Sequence, residues 1–283
     1  MREQRFDLNG MSLFARCWGG DAGPVVLLWH GLGLRASMVF NELVGTLARR
    51  VPDRFVAIDA PGFGRSPALR SDVYRTQTLV DLSVKVLDHL CCADALWLGW
   101  SWGAGLGCHV AAQYPSRVSG LALLDGGYRD VQPPQDRSWE GYQFEARQGW
   151  EEACGTSWQQ ITALLQARSR RWSPAIEAAW RSGWHEMGGR LVPTVQAETF
   201  AAAQRAVIDS PPSSTWGRLG RSQVPVLLLA AEEAPIDALE QFASAVPQTE
   251  IHRVAGAGHD IATDAPVEVA THLTSWLKEQ RRS

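Results

Sequence analysis

Apolar positions in this chain fall into blocks that alternate between two periods. PVVLLWH (24–30) is a continuous apolar run. MVFNELVGTLARR (38–50) places its apolar residues at helical spacing. FVAIDA (55–60) is strand-like again, and TQTLVDLSVKVLDHL (76–90) reads as an amphipathic helix. ALWLGW (95–100) predicts a strand, WGAGLGCHVAAQYP (102–115) a helix that stops at Pro115, and VSGLALLD (118–125) another strand. Strands that read as unbroken apolar runs are buried on both faces, as in a parallel sheet. Strands alternating with helices predict an α/β fold. Ahead of this region, FDLNGMSLFARCWG sets two short extended runs around Asn9-Gly10, a strong hairpin signal.

The alternation stops at Gly126-Gly127. It resumes with VPVLLLAA (224–231), EIHRVAGAGH (250–259) and a last helix, VEVATHLTSWLKEQRR (267–282). Residues 128–220 differ in character: they carry helix-like runs and seven of the 13 tryptophans. The expected architecture is a mostly parallel central sheet with helices on both faces, an N-terminal antiparallel hairpin and a helical cap insertion. The core then comprises 1–127 and 221–283, and the cap 128–220. Within the cap, Trp172, Ile176, Trp180 and Trp184 recur every four residues around Ser173-Pro174, a helix-start signal, and so share one helical face. Such a stripe packs the cap onto the core or roofs an apolar pocket. Trp180 and Trp184, with Trp100 beside the central motif, are the candidate substrate-binding residues.

Composition narrows the setting. With 283 residues, 45% hydrophobic, the chain can bury one sizeable core plus an insertion. A net charge of −3 offers nothing to nucleic acid or an anionic membrane, which leaves a small-molecule substrate as the expected partner. Five cysteines without CxxC spacing, and an N-terminus without an apolar h-region, fit a reducing cytoplasm. Residues 95–112 carry no formal charge, and Gly99, Gly103 and Gly107 form GxxxGxxxG. The stretch is Gly-rich and short for a span of about 20 apolar residues, so no membrane helix is expected. Periodicity sets no oligomeric state.

The chemistry centres on Gly99-Trp100-Ser101-Trp102-Gly103, a G-x-S-x-G between a strand and a helix. A sharp strand-to-helix turn holds such a serine in strained geometry with its hydroxyl exposed, and the flanking positions must be small. A serine hydroxyl needs a base. Among seven histidines, His259 in AGAGHD follows the last strand and can reach the sheet edge. His30 follows a strand and reads as structural. His89, His109 and His272 lie on predicted helices, His252 on a strand, and His185 in the cap, within reach of substrate. HEMGG (185–189) misses HExxH because position 189 is Gly, so no metal site is expected. The backbone N–H groups of Leu32 in HGLG (30–33) and of Trp102 at a helix N-terminus are candidate oxyanion donors. Carboxylates end two strands: Asp125, and the group Glu232, Glu233 and Asp237.

These motifs, HGLG at 30–33, DAPGFGRS at 59–66, GWSWG at 99–103 and GAGH at 256–259, resemble the α/β-hydrolase family in order and spacing across nearly the whole core. The resemblance implies Ser101 as nucleophile and His259 as base, with no cofactor. The family's usual acid lies in stretches similar to G-E-E-D-P. Here Ala231-Glu232-Glu233-Ala234-Pro235 has Ala234 where the aspartate is expected. A second group of members, some haloalkane dehalogenases among them, carries the acid one strand earlier, which corresponds to Asp125. Asp125 is therefore the preferred third member, with Glu233 and Asp237 as alternatives. Dehalogenases and epoxide hydrolases of the family use an aspartate at the elbow, so Ser101 argues against both. The implied activity is hydrolysis of a carboxylic ester, or a related acyl bond, of a small, largely apolar substrate through an acyl-enzyme. Lactone and C–C bond hydrolysis are neighbouring possibilities.

Two rival readings remain. Gly31-x-Gly33-x-x-Ala36 after a strand, with Asp59 ending the next, is a passable dinucleotide fingerprint for an NAD-dependent oxidoreductase. It leaves GWSWG and GAGH unexplained. The substitution at Ala234 would equally suit a non-catalytic ligand-binding protein on a hydrolase fold.

Overall fold

The computed structural model describes every residue except Asn9, Asp21, Arg282 and Ser283, so half of the expected Asn9-Gly10 turn lies outside the described residues. Its two strands, β1 (Arg2–Asp7) and β2 (Ser12–Trp18), pair antiparallel with Asp7 opposite Ser12. The alternating region follows as β3 (Val25–Trp29), α1 (Asn41–Leu47), β4 (Arg54–Ile58), α2 (Thr76–His89), β5 (Ala95–Trp100), α3 (Trp102–Gln113) and β6 (Val118–Leu124). A 3-10 turn over Ala36–Phe40 leads into α1. The insertion contributes α4 (Trp139–Ala153), α5 (Trp158–Arg168), α6 (Pro174–Arg181), β7 (Trp184–Met187), β8 (Arg190–Pro193), α7 (Ala197–Asp209) and α8 (Ser213–Leu219). The chain closes with β9 (Val226–Ala231), α9 (Ile236–Ala245), β10 (Thr249–Val254), α10 (Ile261–Asp264) and α11 (Pro266–Gln280).

The sheet runs β1-β2-β4-β3-β5-β6-β9-β10 and is parallel from β4 onward. Period-two alternation splits each central strand between two cores. Leu27, Trp29, Trp97, Leu121 and Leu228 face Leu79 of α2, Val110 of α3, Trp216 of α8 and Phe242 of α9. Val26, Leu28, Leu98, Leu124 and Leu229 face Leu43 and Leu47 of α1 and Leu273 and Trp276 of α11. Both faces being covered is why these strands carry no polar alternation. Among the described residues, no helix is long and apolar enough to cross a membrane.

The GxxxG spacing has another use. A Cβ on Gly107 would sit 2.4 Å from Trp97 Nε1 and 2.8 Å from Leu121 Cδ1, so the glycine row lets α3 lie directly on β5 and β6. Gly107→Ala gains helix propensity but overpacks this contact. A net loss of about 1–3 kcal/mol is expected, read as a lower thermal midpoint.

The insertion is not all helical. Ser138, Ser157 and Ser173 cap α4, α5 and α6 by accepting hydrogen bonds from Gly141, Gln160 and Ile176 N–H, and Pro174 opens α6. The expected four-residue stripe breaks, however: Trp172 precedes α6 and Trp184 opens β7, which pairs with β8. Gly183 intervenes, where a Cβ would lie 2.4 Å from the Leu34 carbonyl oxygen. Gly188 and Gly189, with φ of 59° and 75°, form the hairpin turn. α4 and α7 pack through Tyr142, Ala146, Ala201 and Ile208.

Candidate active site

Ser101 stands between β5 and α3 with φ 54° and ψ −113°, a left-handed conformation unusual for a side-chain-bearing residue. The turn has no room for side chains. A Cβ on Gly99 would lie 2.2 Å from Gly103 O, one on Gly103 1.9 Å from Trp29 O, and one on Gly126 2.4 Å from Ser101 O. Trp97 Nε1 donates to Gly103 O at 2.9 Å, and Ser101 N–H donates to Leu124 O at 3.0 Å. The strained serine is thus fixed from both adjoining strands.

His259 lies beyond β10 with its imidazole about half exposed, its Nε2 2.9 Å from Ser101 Oγ and its Nδ1 2.7 Å from Asp125 Oδ2. Asp125, just past β6, is buried, at 4% exposure. Its other oxygen accepts from Ala231 N–H at 2.9 Å and Tyr128 O–H at 3.1 Å. Burial alone would raise its pKa. Hydrogen bonds from His259, the Ala231 amide and Tyr128 outweigh that and hold it below the ordinary carboxylate range, so it is charged at neutral pH. A carboxylate at Nδ1 fixes the proton there and leaves Nε2 to accept from Ser101 Oγ–H. This geometry can deliver a serine alkoxide to a carbonyl and hold the resulting imidazolium.

The other acids lie elsewhere. Glu233 is 79% exposed and pairs with Arg170 at 3.1 Å; Glu232 accepts from Gly256 N–H at 3.1 Å; Asp237 is exposed in the first turn of α9. None is bonded to His259. Ala234 is buried in the core.

Leu32 and Trp102 line the cavity of about 430 Å³ that contains Ser101 and His259. Trp102 is the first residue of α3, so its N–H has no intrahelical acceptor. The loop bearing Leu32 is held by His30, which is fully buried. Burial pushes its pKa down and keeps it neutral. Nδ1–H donates to Gly31 O at 2.7 Å and Nε2 accepts from Ala60 N–H at 3.0 Å. His109 also lines this cavity. Burial lowers its pKa too, and its Nε2 lies 3.0 Å from Ser210 O.

The three tryptophans expected at the substrate sit differently. Trp100 points to the opposite core and does not line the cavity; its Nε1 donates to His259 O at 2.7 Å. Trp180 lines a second cavity of about 420 Å³, with Leu34, Trp150 and Phe200, which shares Leu32 with the first. Trp184 lines neither. It donates to Ala153 O at 2.9 Å and packs against Trp158 and Trp180. His185 is exposed on β7 and lines neither cavity.

Two residues with no sequence signal support this arrangement. Tyr128 holds Asp125, as above. Arg35 is buried, donates to Asp260 Oδ2 at 2.6 Å and Thr263 Oγ1 at 2.8 Å, and lies 4.4 Å over the Trp180 ring and 5.7 Å over Trp100. It ties the loop after His259 to the elbow strand and to α6.

The dinucleotide reading has no site. Asp59 is fully buried and accepts from Arg16, Ser37 Oγ, Ser37 N–H and Arg65 N–H, leaving neither oxygen for a ribose. Among the described residues, no group of three His, Cys, Asp or Glu side chains could hold a metal ion.

The chain is similar to several known hydrolases. A haloalkane dehalogenase of Mycolicibacterium paratuberculosis is 27% identical over 273 residues, covering 90% of this chain and 83% of that protein. A pimeloyl-[acyl-carrier protein] methyl ester esterase of a Shewanella species is 36% identical over 102 residues, 36% of this chain and 34% of that protein. The crystal structure of E-2-(acetamidomethylene)succinate hydrolase superposes with a TM-score of 0.79 at 23% identity, covering 98% and 99% of the two chains. The family model described as the alpha/beta hydrolase family matches residues 25–272, and the chain belongs to that family.

Proposed function

We propose that the protein is a serine hydrolase that cleaves a carboxylic ester with a largely apolar body through an acyl-enzyme on Ser101. One observation carries this reading: an unbroken chain of hydrogen bonds from Asp125 through His259 to Ser101 in the wall of a cavity. In the proposed course, Ser101 Oγ attacks the ester carbonyl while His259 Nε2 takes its proton. The Leu32 and Trp102 N–H groups stabilise the oxyanion. The imidazolium, held by Asp125, then protonates the leaving alcohol. Water, deprotonated by the same imidazole, releases the acid. The second cavity, with Trp180, Trp150 and Phe200, suits an apolar part of the substrate. Residues 128–220 act as the cap over both.

Dehalogenation suits these residues less well, although the dehalogenase relative spans most of the chain. Serine attack on an alkyl halide would leave an ether, which has no carbonyl for water to attack. An aspartate nucleophile leaves an ester, which does. Lactone hydrolysis uses the same steps as ester hydrolysis and falls within the proposal. The hydrogen bond between His259 Nδ1 and Asp125 Oδ2 favours turnover over the binding-protein reading, which was motivated by Ala234.

A fluorophosphonate should add once per chain, as seen by intact mass, and aryl esters of butyrate, hexanoate and benzoate should turn over faster than the acetate. A folded protein that takes no adduct would overturn the assignment. A preference restricted to small polar acids would overturn the apolar substrate.

A further inference from the structure

The charged groups around the Ser101 cavity are not all in ion pairs. Three arginines near the site have carboxylate partners: Arg35 with Asp260, Arg170 with Glu233, and Arg171 with Glu42. Arg129 is the one Lys or Arg among the residues lining the cavity itself, and no described carboxylate lies within 4 Å of it. Its guanidinium instead lies 5.7 Å over the Tyr128 ring. The cavity's two carboxylates are committed elsewhere. Asp125 takes His259, Ala231 N–H and Tyr128 O–H, while Asp130 takes Ser213 N–H at 3.1 Å and Ser213 Oγ–H at 2.6 Å. His109 is neutral and hydrogen-bonded to Ser210 O. The cavity therefore presents one cation without an ion-pair partner, the exposed Arg129, beside two carboxylates already held by other donors, and the planar fork of that side chain matches a carboxylate.

We infer that the substrate carries a carboxylate as well as its scissile ester, and that Arg129 binds that carboxylate at the Ser101 cavity. The inference rests on the reading of this cavity as the substrate site, and it names the substrate class: a half-ester of a diacid, or the ester of a carboxylated alcohol. Arg129 sets specificity here and takes no part in the proton transfers.

Two substrate pairs test it. Monophenyl glutarate against methyl phenyl glutarate places the charge on the acyl side; 4-carboxyphenyl butyrate against phenyl butyrate places it on the alcohol side. Comparing the charged-to-neutral ratio of kcat/KM between wild type and variant cancels the intrinsic reactivity of each ester. In at least one pair, wild type should favour the charged ester. Arg129→Gln should lower that ratio about ten- to a hundredfold, mainly through KM, and Arg129→Lys should restore part of it. Raising the salt to about 0.5 M should shrink the wild-type ratio. Equal ratios in wild type and Arg129→Gln for both pairs would overturn the inference while leaving the hydrolase reading intact. Calorimetry on Ser101→Ala with glutarate and dimethyl glutarate separates the two claims further. Arg129-dependent binding of glutarate without turnover of any ester would keep the anion site and remove the hydrolase. No binding of glutarate, together with equal ratios, would remove the anion site.

Discussion

Ser101→Ala is expected to lower kcat for aryl esters by about 10⁴- to 10⁶-fold and to abolish the fluorophosphonate adduct, with the fold retained. The loss should be this large because His259 Nε2 is hydrogen-bonded to Ser101 Oγ and to no other described hydroxyl. Thr76 also lines the cavity, but its hydroxyl donates to Ala206 O at 2.7 Å and has no base beside it. Cys108 is buried, its thiol pushed up to about 12 by burial, and it does not line the cavity. Removing Oγ leaves the backbone path untouched, because the strained turn is held by Gly99, Gly103, Gly126 and the Leu124 carbonyl. The thermal midpoint should therefore move little, which separates a chemical loss from an unfolded protein. An adduct that persists in the variant would place the nucleophile elsewhere.

The core was legible because its strands are buried on both faces. β3, β5, β6 and β9 read as apolar runs, and each lies between helices as that pattern requires. The elbow was legible for a related reason: close backbone approach at Gly99 and Gly103 admits one residue type, so the constraint is written in the sequence. The segment between β6 and β9 was read less well. Four-residue spacing continues from Trp180 to Trp184, but the helix stops at Arg181 because the chain must pass the Leu34 carbonyl at Gly183. A signal for the correct answer was present. Gly188-Gly189 between HEM and RLVP is a two-residue hairpin signature, and it competed with the tryptophan period. Arg35 and Tyr128 had no such signal. Their importance comes from contacts across 225 residues in one case and from a side-chain hydroxyl reaching back three residues in the other. Periodicity reports faces of elements, and neither contact is a property of a face.

Asp125→Asn is expected to lower turnover about 10⁴-fold, whereas Glu233→Gln should leave it near wild type. The reason lies in how Asp125 divides its two oxygens. Oδ1 accepts from Ala231 N–H and Tyr128 O–H, and Oδ2 accepts from His259 Nδ1. An asparagine must keep its carbonyl oxygen on the side with two donors, because an amide NH₂ there would face both. Its NH₂ is then turned toward His259 Nδ1, which has to accept. That moves the imidazole proton to Nε2, the nitrogen that must take the proton of Ser101 Oγ. The variant would keep its packing and most of its hydrogen bonds yet hold the histidine in the wrong tautomer. Its defect should therefore fall on kcat, with the fluorophosphonate reaction slowed in parallel. Glu233 offers a contrast of the same chemical type. Its carboxylate is exposed and paired with Arg170, and an exposed pair contributes little to stability and nothing to the imidazole. If Glu233→Gln were the inactive variant and Asp125→Asn the active one, the acid would belong to the loop after β9, and His259 would have to leave Asp125 during turnover.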